Sequence, residues 1–128
     1  MGMEYAPHMA LELLTVESGA APIILNIVSA AAGEMWHVQE IDIYHDDPAG
    51  ATLQWEIVGE GGQTLVLTIG AVAINVHTKL SDYYATPFWI GPEWIVRIRA
   101  AGALAAGKKF YGCYHTSKIR GIPGGSLR

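Results

Sequence analysis

Apolar and polar residues alternate along most of this chain with a period of two, which is the pattern of a β-strand with one buried face. The alternation is clearest over residues 52–58 and 93–99, and residues 109–115 repeat it. We therefore predict a strand in each of these three segments. The positions expected to face the core in the first two segments are Leu53, Trp55, Ile57, Trp94, Val96 and Ile98.

Three further parts of the chain predict strands from less regular patterns. Residues 22–28 are almost continuously apolar, which favours a strand buried on both faces. Residues 63–69 and 71–77 are rich in branched side chains and are separated only by Gly70, so one long bent strand and two strands both remain open. Residues 7–16 fit either a short helix or a first strand, and we favour the strand.

The alternation of apolar and polar residues over residues 35–44 shifts by one residue midway through the segment. Trp36 and Val38 share one phase of the alternation, whereas Ile41 and Ile43 share the other. A β-bulge inserts one extra residue into a strand and so returns the later residues to the original face. We therefore predict a bulge near Gln39–Glu40 and irregular pairing around it.

Turn-forming sequences separate the strands at intervals of roughly 8–12 residues, the spacing typical of all-β sandwiches and barrels. About eight strands without a helical layer predict a single antiparallel β-sandwich of jelly-roll type over residues 1–120. An immunoglobulin-like sandwich is the second arrangement. Residues 121–128 are predicted to be a flexible tail. The turn segments are Glu17–Gly19, Asp46–Gly50, Gly59–Gly62, Gly91–Pro92 and Ala106–Gly107.

Composition narrows the class of protein further. The 128 residues are 51% hydrophobic and 16% charged, which suits one globular domain with its own core. The longest apolar stretch, residues 19–33, is too short to span a bilayer and contains Pro22 and Asn26, so no membrane partner is expected. The single Cys113 cannot form an internal disulfide, and we expect it to be a small core or interface residue.

Charge is distributed unevenly along the chain. Residues 1–78 contain ten acidic residues and neither Lys nor Arg, whereas residues 79–128 contain all eight basic residues and two acidic ones. Such a division can mark a basic arm that binds nucleic acid. In a jelly roll, however, early strands pair with late ones. The strands of Glu40 and Asp42 can therefore lie beside those of Arg97, Arg99 or Lys109. We expect most of the eight basic residues to have an acidic neighbour, within the domain or across a subunit interface, and we predict no nucleic-acid partner.

Motifs for catalysis, metal binding and cofactor binding are missing, and we predict no catalytic, metal or cofactor site. The five histidines are far apart in sequence, without the spacing of a cupin metal site. His45, Asp46 and Asp47 predict a polar turn whose carboxylates bind the loop backbone, with a metal site as the lesser alternative. Three carboxylates fall on the outward phase of their strands, where solvated charges are expected: Glu40, Asp42 and Glu56.

An aromatic segment lies between the predicted strands at residues 71–77 and 93–99. Tyr83 and Tyr84 precede Phe88, Trp89 and Ile90, and prolines lie on both sides of the last three. Exposed apolar clusters of this kind commonly mark interaction sites. We therefore predict an interface at these five residues, with packing beneath the end of the sandwich as the alternative.

Three segments in order resemble small jelly-roll virion proteins of tailed bacteriophages, which include capsid decoration (cement) proteins and head or tail accessory proteins. They are AAAGEMWHVQEIDIYH at residues 30–45, TPFWIGPEWIVRIRAAG at residues 86–102 and AAGKKFYGCYHTSKIRG at residues 105–121. The resemblance extends over about residues 11–120.

This resemblance implies a non-enzymatic structural protein that is made in the host cytoplasm and located in the virion. It implies a homo-oligomer, with a trimer favoured, that binds the major capsid protein or another virion protein. A ligand-binding β-sandwich, for carbohydrate or for host adsorption, is the second class of function.

Overall fold

The computed structural model describes residues 4–15 and 23–120, and the side chains of residues 23–117. Within these ranges the chain forms nine strands and a 3₁₀ turn at Leu80–Asp82. The strands are β1 (Glu4–Thr15), β2 (Ile23–Ser29), β3 (Met35–His45), β4 (Ala51–Val58), β5 (Thr64–Val72), β6 (Thr78–Lys79), β7 (Phe88–Ile90), β8 (Ile95–Ala100) and β9 (Lys109–Arg120).

The strands form two antiparallel sheets. One has the order β1-β9-β3, with β6 and β7 both on the remaining side of β3, and the other has the order β2-β8-β4-β5. β7 pairs with the first half of β3 and β6 with the second half, so the two short strands together fill one strand position. Counted in this way, the eight positions have the order of a jelly roll, in which the chain passes to the other sheet at every connection except the one from β4 to β5. The predicted all-β sandwich is therefore confirmed.

The hydrophobic core lies between the inner faces of the two sheets. Leu53, Trp55 and Ile57 are all buried, as the alternation of β4 predicts. Burial of such side chains contributes roughly 25 cal/mol per Å² of apolar area removed from water. The large side chains that are fully buried include Trp55, Phe110, Ile41, Ile43, Leu80, Ile90 and Ile98.

The predicted bulge in β3 is confirmed. Val38 pairs with Thr116 and Glu40 pairs with His115, which leaves Gln39 as the extra residue on β3. Because of this extra residue, the later isoleucines of β3 face the core together with Val38.

A second irregularity decides the structure around Gly70. β5 runs continuously from Thr64 through Gly70 to Val72, so the first run and the start of the second form one bent strand. The prediction of a strand over residues 71–77 is wrong beyond Val72, because residues 73–77 form a turn. Leu53 pairs with Gly70 and Gln54 pairs with Thr68, which leaves Ile69 as the extra residue on β5. Gly70 has a φ of 96°, a backbone angle that residues with a Cβ adopt rarely.

Three expectations need correction, and one is confirmed. β2 is not buried on both faces, because it is an edge strand with one face toward solvent, where Ile24 is exposed. Trp94 is 37% exposed, because it lies in the turn before β8 begins and Glu93 there has a φ of 67°. Cys113 is exposed and is not a core residue. The first strand, favoured over a helix, is confirmed as β1.

Two expectations concern residues that the structure does not describe. The predicted tail at residues 121–128 and the turn at residues 17–19 lie outside the described residues.

Candidate functional site

The predicted aromatic interface lies at the edge of the five-stranded sheet. Tyr83, Tyr84 and Trp89 are exposed, and the side chain of Trp89 is 44% accessible to solvent. Phe88 is half-buried and packs against the core, whereas Ile90 is buried inside it. We call Tyr83, Tyr84, Phe88 and Trp89 the aromatic edge patch.

Strand pairing explains why neighbouring residues of β7 differ in exposure. β7 pairs with β3, which places Phe88 opposite Val38 and Trp89 opposite His37. Since side chains alternate along a strand, Phe88 faces the core and Trp89 faces outward. The ring of Trp89 stacks on the His37 ring with 4.7 Å between centroids. This contact holds the exposed indole against the sheet.

The other half of the patch is also held by ring contacts. Tyr84 meets Phe88 edge to face, with the ring centroids 5.1 Å apart and the planes at 84°. Tyr84 follows the 3₁₀ turn, and its backbone N–H donates to the carbonyl of Leu80, a fully buried core residue. Tyr84 is therefore anchored to the core through Phe88 and Leu80, whereas Trp89 rests on His37 at the outer face of the sheet.

A concavity of about 540 Å³ opens beside the patch and includes Tyr84 in its wall. Trp94 forms another part of this wall, and the amide of Gln63 and the hydroxyl of Thr64 are its polar groups. Sequence alternation assigned Trp94 to the core and so missed this site. The signal that could have found it is the Gly91–Pro92 turn, because a turn immediately before Trp94 interrupts the alternation.

A row of three rings crosses the outer face of the same sheet. Tyr44 lies between Tyr111, at 5.0 Å, and His77, at 4.6 Å between ring centroids. Each end of the row is fixed by a carboxylate: Asp42 lies 3.0 Å from Nδ1 of His77, and Asp46 accepts a 3.2 Å bond from the hydroxyl of Tyr111.

The His45–Asp47 turn confirms the expected structural role of its carboxylates. Asp46 accepts hydrogen bonds from the backbone N–H of Lys109 at 2.7 Å, and Asp47 accepts from Ala49 at 2.9 Å and Ala105 at 2.8 Å. These bonds join the loop after β3 to the loop before β9. Because backbone N–H groups stabilise the ionised carboxylate, the pKa of both aspartates is lowered.

His45 is buried beneath this turn and makes a bond at each ring nitrogen. Its Nδ1 accepts from the backbone N–H of Asp47 at 3.1 Å, which leaves Nε2 to carry the proton and donate to the carbonyl of Val72 at 2.9 Å. Both nitrogens of the neutral ring are thus used in holding the backbone. Among residues 23–117 no group of three or more His, Cys, Asp or Glu side chains is placed to hold a metal ion.

Glu56 corrects the expectation of a solvated carboxylate. Its side chain lies on the outer face of β4 but is only 4% exposed, because Arg97 and Arg99 of β8 cover it. Their Nε atoms lie 2.7 and 2.8 Å from its oxygens, and Gln54 donates a third bond at 2.5 Å. Burial would raise the pKa of Glu56, but these three donors outweigh it and the pKa is lowered.

The expected neighbours of Glu40 and Asp42 are confirmed for one of the alternatives. Their strand β3 pairs with β9, which carries Lys109, whereas β8 with Arg97 and Arg99 belongs to the other sheet. Glu40 accepts hydrogen bonds from the backbone and hydroxyl of Ser81. Asp42 pairs with His77.

Comparison with known proteins finds no family model and no curated protein that matches this chain. No helix in the described part of the chain has both the length and the apolar character needed to cross a membrane.

Solved structures that are similar to this chain include three of infectious bursal disease virus. The Gt strain structure has 11% identity and a TM-score of 0.41, over 98% of this chain and 34% of that chain. A mutant VP2 protein in derived T=1 particles has 12% identity and a TM-score of 0.44, over 99% and 34%. The Gx strain structure has 14% identity and a TM-score of 0.42, over 95% and 34%.

This chain therefore spans about a third of the length of each of these structures. These identities and TM-scores are too low to support an argument. The assignment of the jelly-roll fold therefore rests on the order of the strands in the two sheets. The resemblance to phage virion proteins stays a prediction.

Proposed function

We propose that this chain is a non-enzymatic structural protein of a bacteriophage particle, namely a capsid decoration (cement) protein that oligomerises and binds the capsid lattice. The aromatic edge patch carries this proposal. Jelly rolls are common among viral capsid domains, and this one presents exposed aromatic rings at the edge of one sheet.

The patch has the properties of a binding hot spot. Large aromatic side chains contribute a disproportionate share of binding energy at protein interfaces. Trp89 is already stacked on His37, and Tyr84 already contacts Phe88, so binding would restrict little additional side-chain motion. A partner with an apolar pocket, such as the major capsid protein or another virion protein, fits this surface.

The edge that carries the patch favours side-chain docking over strand addition. β6 has two residues and β7 has three, and the segment between them includes the 3₁₀ turn. Such a broken edge offers few consecutive backbone groups to a new strand. The partner would therefore contact the rings themselves.

Binding to shells tests the proposal. The shells would be assembled from a major capsid protein encoded near this chain, and the chain would be sedimented with them. We expect Trp89→Ala to weaken binding by at least about tenfold, because truncation of a central aromatic residue commonly costs more than 1 kcal/mol. Val76→Ala, at another exposed apolar position, is the matched control and should bind normally.

Two results would oppose the proposal. Equal shell binding by wild type and Trp89→Ala would remove the patch from the interface. A gene neighbourhood composed of metabolic enzymes, without capsid or tail genes, would remove the virion assignment.

The concavity beside Trp94 supports a second candidate function, a carbohydrate-binding or host-adsorption module. Its volume of about 540 Å³ lies within the range of small-molecule sites. Trp94 and Tyr84 supply rings on which a sugar could stack, and Gln63 and Thr64 supply hydrogen-bonding groups for its hydroxyls.

A glycan array separates this candidate from the first one. If the chain is a carbohydrate-binding module, it should bind a defined set of glycans, and Trp94→Ala should abolish that binding while Trp89→Ala retains it. Absence of glycan binding by the wild-type chain would reject the second candidate and leave shell binding unaffected.

A further inference from the structure

The four-stranded sheet ends in an unusually exposed edge strand, β5. On one side β5 pairs with β4, and no described strand pairs with its other side. Leu65 is 44% exposed and Val66 is 47% exposed on this strand. No charged residue occurs anywhere between Glu60 and His77.

Proteins ordinarily protect such edges from pairing with other chains, through short strands, charged side chains, proline or bulges. The five-stranded sheet follows this rule at β6 and β7, which are short and lie close to Lys79 and Asp82. β5 has only the bulge at Ile69, which leaves Thr64–Thr68 as a regular and unprotected segment. The contrast indicates that this segment is covered by another strand in the working protein.

We propose that the Thr64–Thr68 segment of β5 pairs antiparallel with the same segment of a second copy of this chain, about a two-fold axis at Val66. The inference rests on the homo-oligomer part of the proposed function, names the surface involved and gives a two-fold dimer where the resemblance favoured a trimer. Two four-stranded sheets would then form one continuous sheet of eight strands across the dimer.

The segment is self-complementary in this register. Val66 faces its own copy and Thr64 faces Thr68 of the partner on the outer side, whereas Leu65 faces Leu67 of the partner on the core side. Threonine pairs and branched apolar pairs are favourable neighbours across antiparallel strands. The absence of charge means that pairing with an identical copy brings no like charges together, which is the reason to favour a second copy as the occupant.

The core side supports the same register. Leu65 pairs with Ile57 of β4, and Leu67 pairs with Trp55, so both leucines lie on the inner face of the sheet. Leu65 is nevertheless open to solvent because the sheet ends there. A paired copy would cover it with Leu67 of the partner and extend the core across the interface.

Cysteine cross-linking tests the register directly, in a Cys113→Ser background that removes the native thiol. Val66→Cys should form a disulfide-linked or bismaleimide-linked dimer under mild conditions. A mixture of Thr64→Cys and Thr68→Cys chains should cross-link far more than either chain alone, because these positions face each other only across the two-fold axis. Ile24→Cys, on the opposite edge of the same sheet, is the matched control and should remain unlinked.

Substitution of Val66 by lysine tests how tightly the two copies bind each other. Val66→Lys places two like charges opposite each other and should raise the dissociation constant of the dimer by at least about tenfold. Ile24→Lys makes the same type of change at an exposed site and should leave it unchanged. Circular dichroism would establish that both variants are folded, and light scattering over a range of concentrations would measure the dimer.

The outcomes separate this inference from the proposed function. An oligomer that resists Val66→Lys and shows no cross-link at residue 66 would overturn the β5 pairing and leave shell binding intact. If Val66→Lys and Ile24→Lys raise the dissociation constant of the dimer equally, the two copies instead associate head to tail, with β5 of one copy paired to β2 of the other. Normal β5 pairing without shell binding would instead count against the proposed function alone.

Discussion

Glu56 illustrates how the neighbours of one residue change its role. Its position on an outward phase of β4 favours a solvated charge, yet two arginines and a glutamine enclose it. A carboxylate removed from water is tolerated when several donors stabilise its ionised form. Arg97 and Arg99 are separated by one residue on β8, so they also depend on Glu56 to offset their mutual repulsion.

Substitution of Glu56 should therefore destabilise the fold. Glu56→Ala leaves two neighbouring guanidinium groups without their shared carboxylate, and we expect a loss of about 1–3 kcal/mol in the free energy of unfolding. Glu56→Gln keeps an acceptor oxygen and should cost less. Urea denaturation would measure both, and an unchanged midpoint for Glu56→Ala would contradict the structural role of this cluster.

At the scale of elements, the turn after β3 joins parts of the chain that are distant in sequence. Asp46 and Asp47 accept hydrogen bonds from the loop before β9, and His45 fastens the end of β5. Carboxylates whose pKa is lowered in the folded state stabilise it above their unfolded pKa. They lose that contribution as the pH falls through the lowered value.

Acidification should therefore weaken the sandwich through this turn. Below the ordinary carboxyl pKa of 3.8, the unfolded state binds protons that the folded aspartates do not, so stability decreases as the pH falls further. Asp47→Asn should lower the urea midpoint at neutral pH and reduce its fall toward about pH 3. Asp82→Asn, at an exposed aspartate, is the control, and an equal acid dependence in both variants would contradict this account.

At the scale of the whole molecule, the division of charge along the chain does not divide it in space. The jelly-roll order brings Glu56 from the acidic part to Arg97 and Arg99 from the basic part, and it places Asp42 opposite Lys79 in register. Both sheets also contribute to one core, whose buried residues come from β2, β3, β4, β5, β7, β8 and β9 and from the connecting loops.

This shared core predicts a single cooperative unfolding transition. Because neither sheet has a separate apolar core, tryptophan fluorescence, to which the buried Trp55 contributes, and far-ultraviolet circular dichroism should give coincident urea curves. Two separated transitions would indicate that the sheets unfold independently. Leu53→Ala, in the core, should shift both curves together by about 2–5 kcal/mol.

Much of the fold follows from local pattern. The alternation in β4, the bulge at Gln39 and the turn at Asp46–Gly50 depend on neighbouring residues, so each was predictable. The site was predictable only in part. Pro-bounded aromatic residues mark the segment around Trp89, but its stacking on His37 depends on the pairing of β7 with β3.

The sequence by itself determined where most of the strands lie, where they turn and which face of most strands is apolar, because these properties arise within a few residues. It did not indicate the short strands β6 and β7. Only the tertiary structure decided which strands are edges and which charges meet. The period of two shows which face of a strand is apolar, but it does not show which strand lies beside it. The burial of Glu56, the exposure of Ile24 and Trp94 and the open side of β5 all follow from the order of strands in the two sheets.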